Sequence, residues 1–270
     1  MQDEITDGGE RISPDRRDWG YYAHLSLYEF CGWFAAGARV LDAGCGTGYG
    51  TAHLLQRGAT SVLGVDSSAR AVEFSTSRYG HAGGPSFRVT DICQSGQLAP
   101  QSFDVIFCNI AEHLADVDAF LANCRELLSP RGVLVMAVPA IANPGILEGN
   151  MRNPYHITHM PPKSWLTKLG RYLYAVQGFR HWIRPELVEP NGFPSGTCLP
   201  PEQTVIRETD FTFTASPAED LNREAYNITL VILACVPRPY VLEPATDESA
   251  FPEDWRVEEI RSRIAVQPAG

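Results

Sequence analysis

The chain has 270 residues, 44% of them hydrophobic, with 22 basic against 32 acidic side chains and a net charge of −10. That length suits one large domain, or one domain with insertions, and the apolar fraction is ample for its core. The acidic balance argues against a surface built to hold nucleic acid or anionic lipid, and no apolar run approaches ~18 residues, so no membrane span is expected.

The first twenty residues are charged and polar and lack the apolar stretch of a signal peptide. Seven cysteines (Cys31, Cys45, Cys93, Cys108, Cys124, Cys198 and Cys235) form no CxxC pair and no metal-ligand spacing. Several lie inside apolar runs and read as small core residues. An odd, scattered set without a signal peptide predicts a reducing compartment, the cytoplasm.

In chain order, residues 1–20 read as a flexible arm. Aromatic and apolar positions at Tyr21, Leu25, Tyr28, Trp33 and Phe34 predict a helix over Tyr21–Phe34, ended by Gly37. Arg39–Ala43 is a strand. It enters a turn with glycines at Gly44, Gly46 and Gly48, followed by a helix that ends near Gly58. Ser61–Val65 is a second strand, ending at Asp66. Ser67 or Ser68 caps the next helix, Ala69–Arg78. Ser86–Val89 and Phe103–Cys108 are further strands, leading into Asp91 and Asn109. Asp116 caps a helix with apolar positions at Val117, Phe120, Leu121, Cys124, Leu127 and Leu128. Ser129–Gly132 reads as a turn and Val133–Val138 as an apolar strand.

Beyond Pro139 the composition changes. Ala140–Pro162 is rich in Pro, Asn, Gly and His and reads as a loop. Trp165–Tyr174 is a candidate helix, and Phe179–Val188, Asp210–Thr214 and Tyr226–Val236 are candidate strands. Glu189–Pro201 is a second Pro/Gly segment. The domain is expected over residues 21–237, with loop insertions at about 140–162 and 189–210, followed by an acidic, Pro-rich tail over 238–270.

Alternating helices and continuous apolar strands indicate a parallel sheet covered on both faces. Right-handed crossovers put the carboxyl ends of its strands on one edge, where doubly wound sheets bind ligands. Asp42, Asp66, Asp91 and Asn109 all lie at or just after such ends. The glycine turn alone is a weak signal, since nucleotide-binding proteins of several kinds use one. Its rhythm here is Gly-x-Gly-x-Gly, whereas a dinucleotide turn wants its third glycine about three residues after the second. The acid before it, Asp42, repels a pyrophosphate and suits a cationic ligand.

Five ordered motifs then resemble one family, the class I S-adenosylmethionine-dependent methyltransferases. They are VLDAGCGTGYG at Val40–Gly50, GVD at Gly64–Asp66, TDI at Thr90–Ile92, FDVIFCNIAEHL at Phe103–Leu114 and LLSPRGVLVMAVP at Leu127–Pro139. The likeness covers about half the chain. It implies a Rossmann-like, doubly wound sheet of seven strands, mostly parallel with an antiparallel last strand and with helices on both faces. It also implies S-adenosylmethionine as cofactor and S-adenosylhomocysteine as product. By the same resemblance Gly44, Cys45, Gly46 and Gly48 pack on the methionine part, Asp66 with Ser67 holds the ribose, and Asp91 takes the adenine amino group while Ile92 packs on the ring. Asn109 and Ile110 line the methionine side. The helix carrying Tyr21, Tyr22 and His24 closes over the cofactor or is a plain packing helix.

Three histidines are the catalytic candidates. His113 follows Glu112 in the EH pair after the fourth strand and is either a base or an ordering group. His156 and His159, in NPYHITH at Asn153–His159, are substrate contacts or bases, loop-packing residues, or metal ligands. No metal is expected, because the only acid near them in sequence is Glu148 and a site would need distant ligands such as Asp116 or Glu112. The expected partner is a small-molecule or sugar-containing acceptor methylated at a hydroxyl, with no nucleic acid and no membrane; a homo-oligomer is compatible with the chain. The competing readings are a nicotinamide-dependent oxidoreductase and a cofactor-binding fold member without transfer activity.

Overall fold

The structure, a computed structural model, describes residues 11–183, 206–216 and 229–236. The expected loop Glu189–Pro201, the acidic tail, and the ends of two predicted strands lie outside those residues. Among the described residues, no helix is long and apolar enough to cross a membrane.

The elements follow as α1 (Trp19–Ala35), β1 (Arg39–Ala43), α2 (Tyr49–Gln56), β2 (Ser61–Asp66), α3 (Ala69–Tyr79), β3 (Ser86–Val89) and β4 (Phe103–Cys108). Then come α4 (Val117–Leu127), β5 (Leu128–Pro139), α5 (Pro144–Met151), α6 (Pro162–Leu169), β6 (Tyr174–Ile183), β7 (Phe211–Ser216) and β8 (Thr229–Cys235). Single turns of 3-10 helix cover Ala111–His113 and Glu208–Asp210.

One sheet of eight strands has the order β3-β2-β1-β4-β5-β8-β6-β7. The first five run parallel. β8 is antiparallel to β5, β6 is antiparallel to β8, and β7 is antiparallel to β6. The antiparallel last strand is thus present, inserted between β5 and β6. The expected seven strands become eight because β7 adds an edge. Its sequence FTFT alternates, as a strand with one packed face must, and Phe213 stacks on His181 at 4.6 Å.

Successive residues of each central strand feed opposite faces. Leu41, Ile106 and Leu134 join Phe120 and Trp165 under α4 and α6. Val40, Phe107 and Val135 join Phe30 and Leu54 under α1 and α2. Three expectations give way locally. Ser129–Gly132, read as a turn, belongs to β5, which pairs with β4 from Leu128 onward through a register shift. The loop Ala140–Pro162 contains α5, capped by Asn143 through Ile146 N at 3.0 Å. The helix expected at Trp165–Tyr174 starts and stops earlier, since Gly170 ends it and β6 takes over at Tyr174.

Candidate active site

The glycine turn joins β1 to α2 at the carboxyl edge of the sheet. Gly44, Gly46 and Gly48 have φ of +85°, +53° and +79°, values that side-chain-bearing residues rarely adopt. At Gly44 and Gly48 the space is also taken: an added β-carbon would lie 2.4 Å from Ile110 Cγ2 and 2.7 Å from Ser75 Cβ. Gly46 is different, because its nearest neighbour there is Arg11 Cγ at 4.0 Å. Its backbone is the part of the turn that a ligand can approach.

Asp42 lies beneath the turn, fully buried. Its carboxylate accepts from Thr51 Oγ1 at 2.6 Å and from Tyr28 Oη at 3.3 Å. Burial pushes this carboxyl up to about 7, against the opposing pull of those two hydroxyls. Asp42 therefore ties the turn to α1 and α2. Cys45 is buried too, and its backbone is held within the fold, its N–H donating to Val65 O and its carbonyl accepting from Gly48 N, both at 2.9 Å.

Asp66 ends β2. One oxygen accepts from Gly46 N at 3.0 Å and the other from Ser68 N at 2.9 Å. Ser68, rather than Ser67, caps α3, accepting from Ala71 N at 3.3 Å, and Ser67 is exposed beside it. Asp91 accepts from Cys93 N at 3.0 Å and from Gln94 Nε2 at 3.1 Å. Ile92 is almost wholly inside the core, with its carbonyl held by Asn123 Nδ2 at 2.8 Å. Asn109 Nδ2 stands 3.5 Å from His24 Nδ1, and Tyr21 packs on Tyr49 with ring centres 5.1 Å apart. The two crevice acids, the open glycine backbone and Asn109 share one edge. That set suits a ligand with ribose hydroxyls, an exocyclic amine and a cationic amino-acid end, so S-adenosylmethionine fits the residues present.

The described part of the N-terminal arm lies on the turn. Thr47 Oγ1 donates to Ile12 O at 2.8 Å, and Arg78 holds Asp15 through two bonds of 2.7 and 2.8 Å. Arg11 Nη2 is 3.7 Å from Asp66 Oδ1. Nothing in the sequence marks Arg11 for this position.

The cluster of Glu112 and the histidines begins two residues after Ile110. The loop after α5 is fastened here: Ile157 N and Thr158 N both donate to Glu112 O at 2.9 Å, and Thr158 Oγ1 donates to Leu114 O at 2.9 Å. This brings His113 and His156 to 4.9 Å between ring centres, at 73°. His113 Nδ1 is 3.0 Å from Tyr155 O. A carbonyl can only accept, so Nδ1 carries a proton, and in the neutral ring Nε2 holds the lone pair. That Nε2 lies 3.7 Å from Glu112 Oε1. His159 joins at one remove, for the Asn150 amide touches His156 Nδ1 and His159 Nδ1, both at 2.7 Å. The three candidate histidines thus meet in one cluster. Asn150, which links two of them, went unnoticed in the sequence and carries no signal there.

A family model described as a methyltransferase domain matches residues 41–136. The ubiquinone biosynthesis O-methyltransferase of Sinorhizobium medicae is 34% identical over 105 residues, 37% of this chain and 41% of that protein. A Mycolicibacterium smegmatis protein named as a probable S-adenosylmethionine-dependent methyltransferase is 31% identical over 153 residues, 55% of this chain and 57% of its own. The matches thus span roughly two to three fifths of these relatives' length. A solved S-adenosylmethionine-dependent methyltransferase from Archaeoglobus fulgidus is alike in fold, with a TM-score of 0.55 at 17% identity, covering 79% of this chain and 94% of that one. Over residues 41–136, then, the chain is similar to the methyltransferase-domain family, and its sheet has the fold of a solved S-adenosylmethionine-dependent methyltransferase.

Proposed function

We propose that the protein moves the methyl group of S-adenosylmethionine to a hydroxyl of a small-molecule or sugar-containing acceptor in the cytoplasm. The observation that carries this reading is that Glu112, His113 and His156 gather with their ligand atoms within 4.8 Å of one another, on the segment that follows Ile110, which itself packs against Gly44 of the glycine turn.

When bound, the cofactor supplies an electrophilic methyl group on sulfur and leaves as the neutral thioether. The chain's residues divide the remaining work. Asp66 holds the ribose and Asp91 the adenine amine, while the backbone at Gly46 and the side chain of Asn109 flank the amino-acid end. Fixing both reactants in line supplies much of the acceleration, since orientation alone is worth up to about 7–11 kcal/mol. His113, its Nδ1 held by the Tyr155 carbonyl, takes the proton of the acceptor hydroxyl at Nε2 as the oxygen captures the methyl.

The segment that carries His156 exposes apolar side chains beside the charged pair of Glu148 and Arg152. Tyr155 is 41% exposed, Ile157 54% and Met151 61%, and they suit an acceptor with an apolar body carrying a hydroxyl. The name of the Sinorhizobium relative, an O-methyltransferase, supports oxygen as the receiving atom.

The test is incubation of the protein with trideuteromethyl-labelled S-adenosylmethionine and fractionated metabolite extracts, read by mass spectrometry. A labelled, hydroxyl-derived ether formed together with S-adenosylhomocysteine is expected. Cofactor binding without any acceptor-dependent product across the extracts counts for the non-transferring reading.

A further inference from the structure

We infer that Glu112, His113 and His156 form a binding site for a first-row divalent cation of the zinc type. Their ligand atoms all lie within 4.8 Å of one another. In sequence the nearest acid to His156 is Glu148, which is exposed and bound to Arg152 at 2.6 Å. The fold supplies a different acid, Glu112, from across the crevice.

The electrostatics of the cluster call for a positive charge. The Tyr155 carbonyl keeps a proton of His113 on Nδ1, so in the neutral ring Nε2 holds the lone pair, 3.7 Å from the Glu112 carboxylate. Two acceptors facing each other repel unless a proton or a cation lies between them. Glu112 is 6% exposed, so water screens that repulsion poorly. A cation between them is attracted to both groups at once, and the His156 ring, whose centre lies 4.9 Å from that of His113, supplies a third ligand.

The groups behind the ligands are the ones a metal needs. A ligating histidine donates its second N–H to an oxygen, which orients the ring. His113 has the Tyr155 carbonyl for this purpose. His156 has Asn150, whose amide can turn to present Oδ1 to His156 Nδ1 and Nδ2 to His159. Zinc binds nitrogen and oxygen at ~2.0–2.2 Å, so the three side chains draw inward by about an ångström on binding. Two imidazoles and one carboxylate leave a coordination position open, the arrangement of catalytic rather than structural zinc. An acceptor hydroxyl at that position ionises near neutral pH and gives its proton to solvent. The cation then does what the imidazole alone does in the methyl-transfer reading; the inference rests on that reading only for the role of the hydroxyl.

Chelator-treated full-length protein is titrated with Zn²⁺ in competition with a chromophoric chelator, and with Co²⁺ by visible absorption. Expected is saturable binding with a cobalt spectrum of mixed nitrogen and carboxylate ligation. Glu112→Gln and His156→Ala weaken it about 100-fold or more, and Asn150→Leu about tenfold, whereas Glu148→Gln leaves it unchanged. S-adenosylhomocysteine titration of each variant shows that it is folded. A wild-type protein that binds neither metal, or binds equally well after both ligand substitutions, overturns the site and leaves His113 as a base without metal. Zinc binding in a protein that ignores S-adenosylhomocysteine upholds the site while the methyl-transfer reading fails.

Discussion

Ile110 fills the space that a side chain at Gly44 would need. An added β-carbon there falls 2.4 Å from Ile110 Cγ2, at a residue whose φ is +85°. The first glycine of the turn and the first residues after β4 are fitted to each other, which couples the cofactor turn to the segment carrying Glu112 and His113. Gly44→Ala should cost about 2–4 kcal/mol, part left-handed strain and part overpacking. Thermal unfolding checks this. Adding Ile110→Ala should recover the packing share and leave the strain.

Asp66→Ala should weaken S-adenosylhomocysteine binding by roughly 10–100-fold, as expected for losing one or two hydrogen bonds to a charged acceptor. The fold should survive, because the carboxylate lies at the crevice edge with 12% of its side chain exposed. Calorimetric titration with a circular-dichroism control decides it. Unchanged affinity removes Asp66 from the site.

Arg11 stands against the same carboxylate at 3.7 Å. Cofactor that takes the ribose position on Asp66 must compete with it. Arg11→Ala should therefore speed cofactor association and tighten binding by about 2–5-fold, in line with a pair worth up to ~1 kcal/mol. Stopped-flow measurement of binding to the arm-intact and substituted proteins tests this. Slower association or weaker binding would make Arg11 a clamp on the cofactor instead.

Buried Asp42 makes stability depend on pH. Its carboxyl is raised from 3.8 to about 7 in the fold, so between those values the native state holds a proton that the unfolded chain has released. Stability from this group is complete below about pH 4 and is lost as pH rises through 7, a change of a few kcal/mol. Asp42→Asn should flatten that decline. Urea unfolding at several pH values measures it, and an unchanged slope refutes the assignment.

His113→Ala and His156→Ala should each lower turnover about 10²-fold or more while shifting S-adenosylhomocysteine affinity by less than ~3-fold. Full activity in both variants would exclude the cluster from the chemistry.

Much of the first half was legible in the sequence because its signals are local. Strands such as Val133–Val138 are apolar throughout, an acid lies near the end of each of the first three strands, and Asp116 and Ser68 cap helices at the positions their side chains suggest. The glycine rhythm states its own backbone conformation. Elsewhere the decisive interactions are distant. Ser129–Gly132 looks like a turn from its Ser, Pro and Gly, yet pairing with β4 draws it into β5. α5 shows no apolar stripe because it buries no side chain. The meeting of Glu112 with His156 depends on backbone bonds from Ile157 and Thr158 across more than forty positions, and no spacing rule contains it. Asp42 could be found by its place before the turn. That it faces Thr51 and Tyr28 rather than the crevice follows only from the packing of α1.

Calorimetric titration of the wild-type protein with S-adenosylhomocysteine and, separately, with NADH addresses the cofactor crevice most directly. Saturable binding of S-adenosylhomocysteine that is weakened by Asp66→Ala, with no heat from NADH, is the expected result. Tight NADH binding with none for S-adenosylhomocysteine would contradict it.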